Sequence, residues 1–68
     1  MTTLHVEPRK DTWIVRRDDA AAALSEHSDA GEATRAARDR AETAGHAHVY
    51  LRDRYNRIRP IAVKRFTR

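Results

Sequence analysis

The sequence contains no cysteine and few large apolar residues. None of its 68 residues is cysteine, and Leu, Ile, Val and Phe together number 11, or about 16% of the chain. That share lies below the roughly 20% at which highly charged chains approach disorder. Disulfides are therefore excluded, and a domain of this size with so thin a core needs a metal, a partner or self-association to support it.

Long apolar runs and glycine are also scarce. No stretch approaches the ~20 apolar residues of a membrane span, and the first residues lack the basic region and apolar run of a signal peptide. We therefore expect a cytoplasmic protein with no membrane partner. The two glycines, Gly31 and Gly45, cannot build a glycine-rich phosphate loop. A composition rich in alanine, arginine and aspartate fits a GC-rich bacterial or phage genome, so we expect a bacterial or phage protein.

The stretch from Asp29 to Gly45 predicts a capped helix. Its apolar face consists of alanines at spacings of three and four: Ala33, Ala36, Ala37, Ala41 and Ala44. Asp29 and Glu32 have the spacing of a capping box, and Gly45 can adopt the left-handed conformation that ends a helix. Because alanine side chains are small, this face can lie close against a sheet. The charged residues on the opposite side, including Arg35, Arg38 and Arg40, are interpreted as a solvated surface.

Alternating apolar residues predict strands on both sides of this helix. The predicted strands are residues 3–7, 12–16, 22–26, 47–52 and 57–59. Pro8 is expected to end the first strand, and Pro60 to place the last one at an edge, because proline cannot donate to a ladder. Asn56 suits a turn with positive φ. The order predicts one α+β domain over residues 1–60, with a small antiparallel sheet covered on one face by the helix, and a basic and apolar tail over 61–68.

Several apolar residues have no obvious place in such a small fold. Trp13 and Val15 share one strand face, with Ile14 opposite. Trp13 is interpreted as buried beneath the helix, with an exposed stacking platform as the alternative. The candidate residues for self-association are Ile14, Ile61, Val63 and Phe66. We therefore expect a homodimer, the commonest symmetric assembly.

No arrangement of residues identifies a reaction. His46 and His48 could form a metal pair, but zinc would need two further ligands, and polar residues at the start of a strand are the favoured interpretation. The adjacent Asp18-Asp19 suits a turn, and Ser25 and Ser28 lack the context of a nucleophile elbow. We therefore expect no catalytic residues, no metal and no cofactor.

The basic residues are concentrated near the end of the chain. The formal net charge is +4, yet seven basic residues and one acidic residue from Arg52 onward give that segment +6. Such a segment indicates a binding module for DNA or RNA, contacting phosphates with little sequence specificity. The alternative is a module that docks on a larger acidic or apolar protein surface. The candidate nucleic-acid-binding residues are Arg52, Arg54, Tyr55, Arg57, Arg59, Lys64, Arg65 and Arg68.

Six short motifs resemble those of a known family. They are His5-Val6-x-Pro8, Trp13-x-Val15, Glu32-Ala33, Ala37-Arg38, Val49-x-Leu51 and Arg57-Ile58. Together they resemble the small prokaryotic proteins grouped as domain of unknown function 2188, over residues 4–59. The resemblance implies the same order of strands and helix, but no activity, cofactor or catalytic residue. Members of that family often carry Asp-Gly at the last hairpin, where this chain has Tyr55-Asn56.

Overall fold

A computed structural model describes residues 3–44 and 48–63 as five strands and one helix. The elements are β1 (Thr3–Arg9), β2 (Thr12–Arg17), β3 (Ala23–His27), α1 (Ala30–Ala44), β4 (His48–Arg52) and β5 (Ile58–Ile61). The strands form one sheet in the order β3-β2-β1-β4-β5, and α1 packs on it. The predicted α+β class, the order of elements and the short third strand are confirmed.

The sheet is mixed rather than wholly antiparallel. β1 pairs with β4 in parallel, with Leu4 opposite Val49, whereas the other three pairings are antiparallel. The reason is the length of α1, whose 15 residues span about 22 Å and carry the chain back along the whole sheet. β4 therefore starts at the end of the sheet where β1 starts, and the expectation of purely antiparallel pairing was wrong at this one step.

The core is a layer of alanines against a layer of β-branched and leucine side chains. Its buried members, each at most 3% exposed, are Leu4, Val6, Val15, Ala33, Ala37, Ala41 and Val49. The predicted alanine stripe is confirmed as the face of α1 that meets the sheet, although Ala36 at its margin is only half-buried. A bulge in β3 opposite Val15 and Arg16 accompanies the packing of Leu24 against this core.

The start of α1 follows the predicted cap. Asp29 Oδ1 accepts a hydrogen bond from the Glu32 backbone N–H at 2.8 Å. Across the described part of the chain, the return bond of a full capping box, to the Glu32 carboxylate, is not formed. Gly45, predicted to end the helix, lies outside the described residues.

No helix within those residues is long and apolar enough to cross a membrane.

Both prolines lie inside strands. β1 continues through Pro8, which pairs with Trp13, so the expectation that Pro8 ends the strand was wrong. The strand tolerates Pro8 because the parallel pairing of β1 with β4 stops at Val6, and no neighbour on that side requires an N–H there. Pro60 lies in β5, which is an edge strand as predicted. β5 reaches Ile61, one residue past the expected domain boundary.

Trp13 is half-buried, not enclosed. It packs against the core cluster on one side, and the Arg54 guanidinium lies over its ring at 5.3 Å from the centroid. The helix therefore covers only part of the indole, and the turn between β4 and β5 covers another part. This contact brings the basic hairpin to the end of the sheet where β2 and α1 begin.

Candidate nucleic-acid interface

The hairpin turn, residues 53–57, is organised by one carboxylate. Asp53 Oδ1 accepts from the backbone N–H groups of Tyr55 at 2.8 Å and Arg57 at 2.9 Å, and Oδ2 accepts from Arg57 Nε at 3.0 Å. The Asp53 N–H in turn donates to the Arg57 carbonyl at 2.9 Å. Asn56 has φ of 67°, the left-handed conformation that the sequence predicts for it. The turn is therefore a fixed loop that presents its remaining side chains to solvent.

The environment of Asp53 keeps it charged. The backbone N–H of Arg57 has the largest effect and lowers the pKa of Asp53. Desolvation is second in size and raises it, and the Tyr55 N–H and the Arg57 guanidinium lower it further, so the pKa is below the ordinary value. The negative charge of Asp53 interacts with N–H groups of the turn itself. Asp53, the one acidic residue from Arg52 onward, therefore pairs with Arg57 inside the turn.

The role of Asp53 predicts that the turn loosens in acid. Because its folded pKa is below the ordinary value, the carboxylate stabilises the turn above about pH 4, and the contribution is lost as pH falls through the folded pKa. We expect the amide NMR signals of Tyr55 and Arg57 to shift together with a midpoint below about pH 4. Asp53→Ala should produce the same shifts at pH 7, and Asp39→Ala, on the exposed helix surface, should not. A midpoint at or above the ordinary aspartate value would contradict this role.

Two aromatic rings at this end of the molecule each have an arginine guanidinium lying over one face. Arg54 lies over Trp13, and Arg57 lies over Tyr55 with 5.5 Å from its Cζ to the ring centroid. Tyr55 is 80% exposed. Arg54 and Trp13 are 41 positions apart in sequence, so this contact depends on the fold and has no local sequence signal.

The strand pairing separates the two arginines that flank the turn. Arg59 pairs with Leu51, so both side chains lie on the face that meets α1. Arg52 pairs with Ile58 on the opposite face, where Arg52 is half-buried. Of the predicted arginines, Arg54, Arg57 and Arg59 are thus at the turn and the helix side, and Arg52 is not with them. The predicted Lys64, Arg65 and Arg68 lie outside the described residues.

Two helix arginines, which the sequence analysis assigned to a solvated surface, extend this site. A cleft of about 330 Å³ between α1 and β4 is lined by Ala30, Gly31, Thr34, Arg35, Arg38 and Leu51. Thr34 and Arg38 are on the flank of the alanine stripe that faces β4, because residues four apart share one side of a helix. Arg59 is not among the lining residues, but it pairs with Leu51 in the sheet. We call this the arginine cleft, defined by Thr34, Arg35, Arg38, Leu51 and Arg59.

The arginine cleft differs in charge from another cavity of the protein surface. No acidic residue is among those that line the cleft. The second cavity, of about 480 Å³, has three carboxylates and two arginines, and is lined by Glu7, Arg9, Arg16, Asp18, Asp19, Ala20 and Ala21. There Arg16 Nε donates to Glu7 at 2.9 Å, so its charge is already compensated. Within residues 3–44 and 48–63, by contrast, Arg35, Arg38 and Arg59 form no ion pair.

Comparison with known proteins identifies a family. The sequence model of the family described as "Uncharacterized protein conserved in bacteria (DUF2188)" matches residues 4–61. The chain belongs to the DUF2188 family. No curated protein and no solved structure matches the chain significantly. The predicted resemblance is confirmed, and the match ends with the last residue of β5.

In this DUF2188 protein, most of the residues predicted for self-association pack within the single chain. Ile14 is 1% exposed, and Ile61 and Val63 are half-buried against the core. Ile14 lies between Glu7 of β1 and Glu26 of β3, whose carboxylates accept bonds from Arg16 and Thr12. These polar side chains surround Ile14, so it offers no surface to a second copy. Phe66 lies outside the described residues, and a homodimer stays a prediction that now depends on it.

Two histidines of the DUF2188 chain have described polar neighbours. His5 Nε2 lies 2.8 Å from Asp18 Oδ1, and His27 Nε2 lies 2.8 Å from Ser25 Oγ. His46 lies outside the described residues. In the part of the chain that the structure describes, no three potential metal ligands come together. Asp18-Asp19 occupies a turn, as predicted.

Proposed function

We propose that this protein is a binding module that contacts the phosphates of DNA or RNA through the arginine cleft and the hairpin turn. The groups assembled there are guanidiniums, the Thr34 hydroxyl and the aromatic ring of Tyr55. These groups hold phosphate and stack on bases, and they supply no nucleophile activated by a base. The proposed role is therefore binding without catalysis, in the cytoplasm, where nucleic acid is abundant.

One observation carries this proposal: arginines without an ion pair line or border a cleft whose lining contains no carboxylate. Arg35 and Arg38 line the cleft from one helix, and Arg59 pairs with Leu51, which lines the cleft from the sheet. A nucleic-acid strand presents one negative charge every ~3.4 Å, so several phosphates can meet such a group at once. Guanidiniums also match phosphate geometry with paired N–H donors, which favours arginine over lysine at such a site.

The alternative function is docking on another protein through apolar contacts of Ile61, Val63 and Phe66. Ile61 and Val63 pack against the core of the same chain, so they are less available for such contacts. An acidic protein surface remains a partner that the same arginines could meet. Carboxylates on a folded protein are irregularly spaced, so the regular phosphate backbone is the favoured ligand.

A truncated variant separates the folded site from the tail. A chain ending at Val63 keeps β5 and the contact of Val63 with the core, and removes Lys64, Arg65, Phe66 and Arg68. We expect the full chain to bind labelled duplex DNA with micromolar affinity at low salt, weakening with a log–log slope near −0.9 for each phosphate contacted. The truncated chain should keep a measurable salt-dependent affinity, reduced by the loss of three positive charges.

The control for this titration is a variant whose charge is reduced outside the site. Replacing Arg9, Lys10 and Arg40 by Gln removes three charges from the first hairpin turn and the other flank of α1. If the arginine cleft and the hairpin turn make the main phosphate contacts, this variant should bind about as tightly as the truncated chain, because both keep the site and have lost three charges. If a folded full chain does not bind at low salt, the proposal is wrong, and capture on an acidic protein becomes the next hypothesis to test.

A further inference from the structure

Tyr55 is exposed to a degree that the fold does not require. It is 80% exposed at the tip of a turn whose backbone is held by Asp53, and it contributes nothing to the core. Its ring is flanked on one side by the Arg57 guanidinium. An aromatic ring that is rigidly placed, largely exposed and next to cations is the arrangement that stacks on a nucleobase.

A second stacking surface lies beside it. The Arg54 guanidinium lies over Trp13, with Trp13 itself anchored against the core. Arg54 is exposed, so the outer face of its planar guanidinium remains open to solvent. Guanidinium planes stack on bases as aromatic rings do. Neighbouring residues of one turn thus present two flat surfaces, Tyr55 and the Arg54–Trp13 pair.

We propose that the hairpin turn binds unpaired bases, so that the preferred ligand of this protein is single-stranded nucleic acid. This inference rests on the proposed function, since the arginine cleft would hold the phosphates of the same strand. A duplex keeps its base faces inside the stack, whereas a single strand can turn successive bases outward. The two surfaces at the turn contribute only when such bases are available.

The test compares ligands that differ in whether bases can stack. The probes are labelled strands of about 15 nucleotides: DNA, RNA of the same sequence, the DNA duplex and an abasic deoxyribose-phosphate strand. We expect the single strands to bind more tightly than the duplex and the abasic strand. Tyr55→Ala should weaken single-strand binding by about 5- to 150-fold for one stacked base, and change duplex and abasic binding by less than about twofold.

Two variants control for the loss of a side chain. Tyr55→Phe retains a stacking ring and should bind single strands as the wild type does. Ile58→Ala removes another exposed apolar side chain of the same hairpin, 56% exposed, and should also leave binding unchanged. The emission of Trp13, the only tryptophan, confirms that each variant is folded. A difference between the DNA and RNA strands assigns the source of the strand, because only RNA offers 2′-hydroxyls.

The outcomes separate the two proposals. Equal binding of single strands, duplex and abasic strand, or an unchanged single-strand affinity in Tyr55→Ala, overturns base stacking and leaves phosphate binding standing. Absence of binding to all four probes at low salt overturns both. A selective loss in Tyr55→Ala that Tyr55→Phe does not show supports the turn as a base-stacking site.

Discussion

Replacing Ala37 by Leu is expected to destabilise the protein strongly. Ala37 is fully buried at the centre of the stripe, where the helix lies directly on the sheet. A leucine there has no space and must push the helix away from Val6 and Val15. Overpacking of this kind costs about 1–3 kcal/mol. A domain with so few large apolar residues is expected near the lower limit of about 5 kcal/mol for the free energy of unfolding.

Chemical denaturation followed by Trp13 fluorescence measures this effect. The midpoint for Ala37→Leu should fall by about 20–60% of the wild-type value, in proportion to the lost free energy. Ala36→Leu is the matched control, because Ala36 belongs to the same helix but is half-buried at the margin of the stripe. The control should change the midpoint little. Equal stability of Ala37→Leu and the wild type would show that helix and sheet are not in close contact.

Local sequence patterns predict the strands and the helix. They do not predict which strands pair with each other or in which direction. The alternation of Val49 and Leu51 predicts a strand with one buried face, but the pattern is the same whether that strand runs parallel or antiparallel to β1. The direction depends on α1 as a connection that crosses the sheet, which is a property of the whole chain. Pro8 shows the same limit, because its tolerance depends on where the pairing of β4 ends.

The site was predictable only in part for a related reason. The excess of positive charge after Arg52 and the exposure of Tyr55 at a turn follow from the sequence. Arg35 and Arg38 carry no such signal, because a charged flank beside an alanine stripe is typical of any solvated helix. They become part of a site through the placement of β4 beside them, with Leu51 as the floor. The burial of Ile14 within the single chain has no local signal either, because the polar side chains around it come from three different strands.

Replacing Arg35, Arg38, Arg54 and Arg59 together by Gln is expected to remove most of the affinity for nucleic acid. On a single strand each phosphate contact contributes about 0.7 to the slope of log affinity against log salt, so the slope should become less steep by up to about 3. At about 0.1 M salt, this corresponds to a loss of about a thousandfold. Glutamine keeps the approximate length and polarity of the side chain, so the loss would reflect charge and paired N–H donors. Titration of labelled single-stranded DNA at several salt concentrations measures both quantities.

A second quadruple variant distinguishes the site from net charge. Replacing Arg9, Lys10, Arg17 and Arg40 by Gln also removes four positive charges, so each variant lowers the formal net charge from +4 to zero. None of these four residues lines the arginine cleft. If attraction to the whole protein dominated, both variants would lose affinity equally. If the arginine cleft and the hairpin turn bind the phosphates, the control should keep most of the salt slope, since its removed charges make no phosphate contact. Equal losses would therefore contradict a localised site while leaving the net positive charge as the cause of binding.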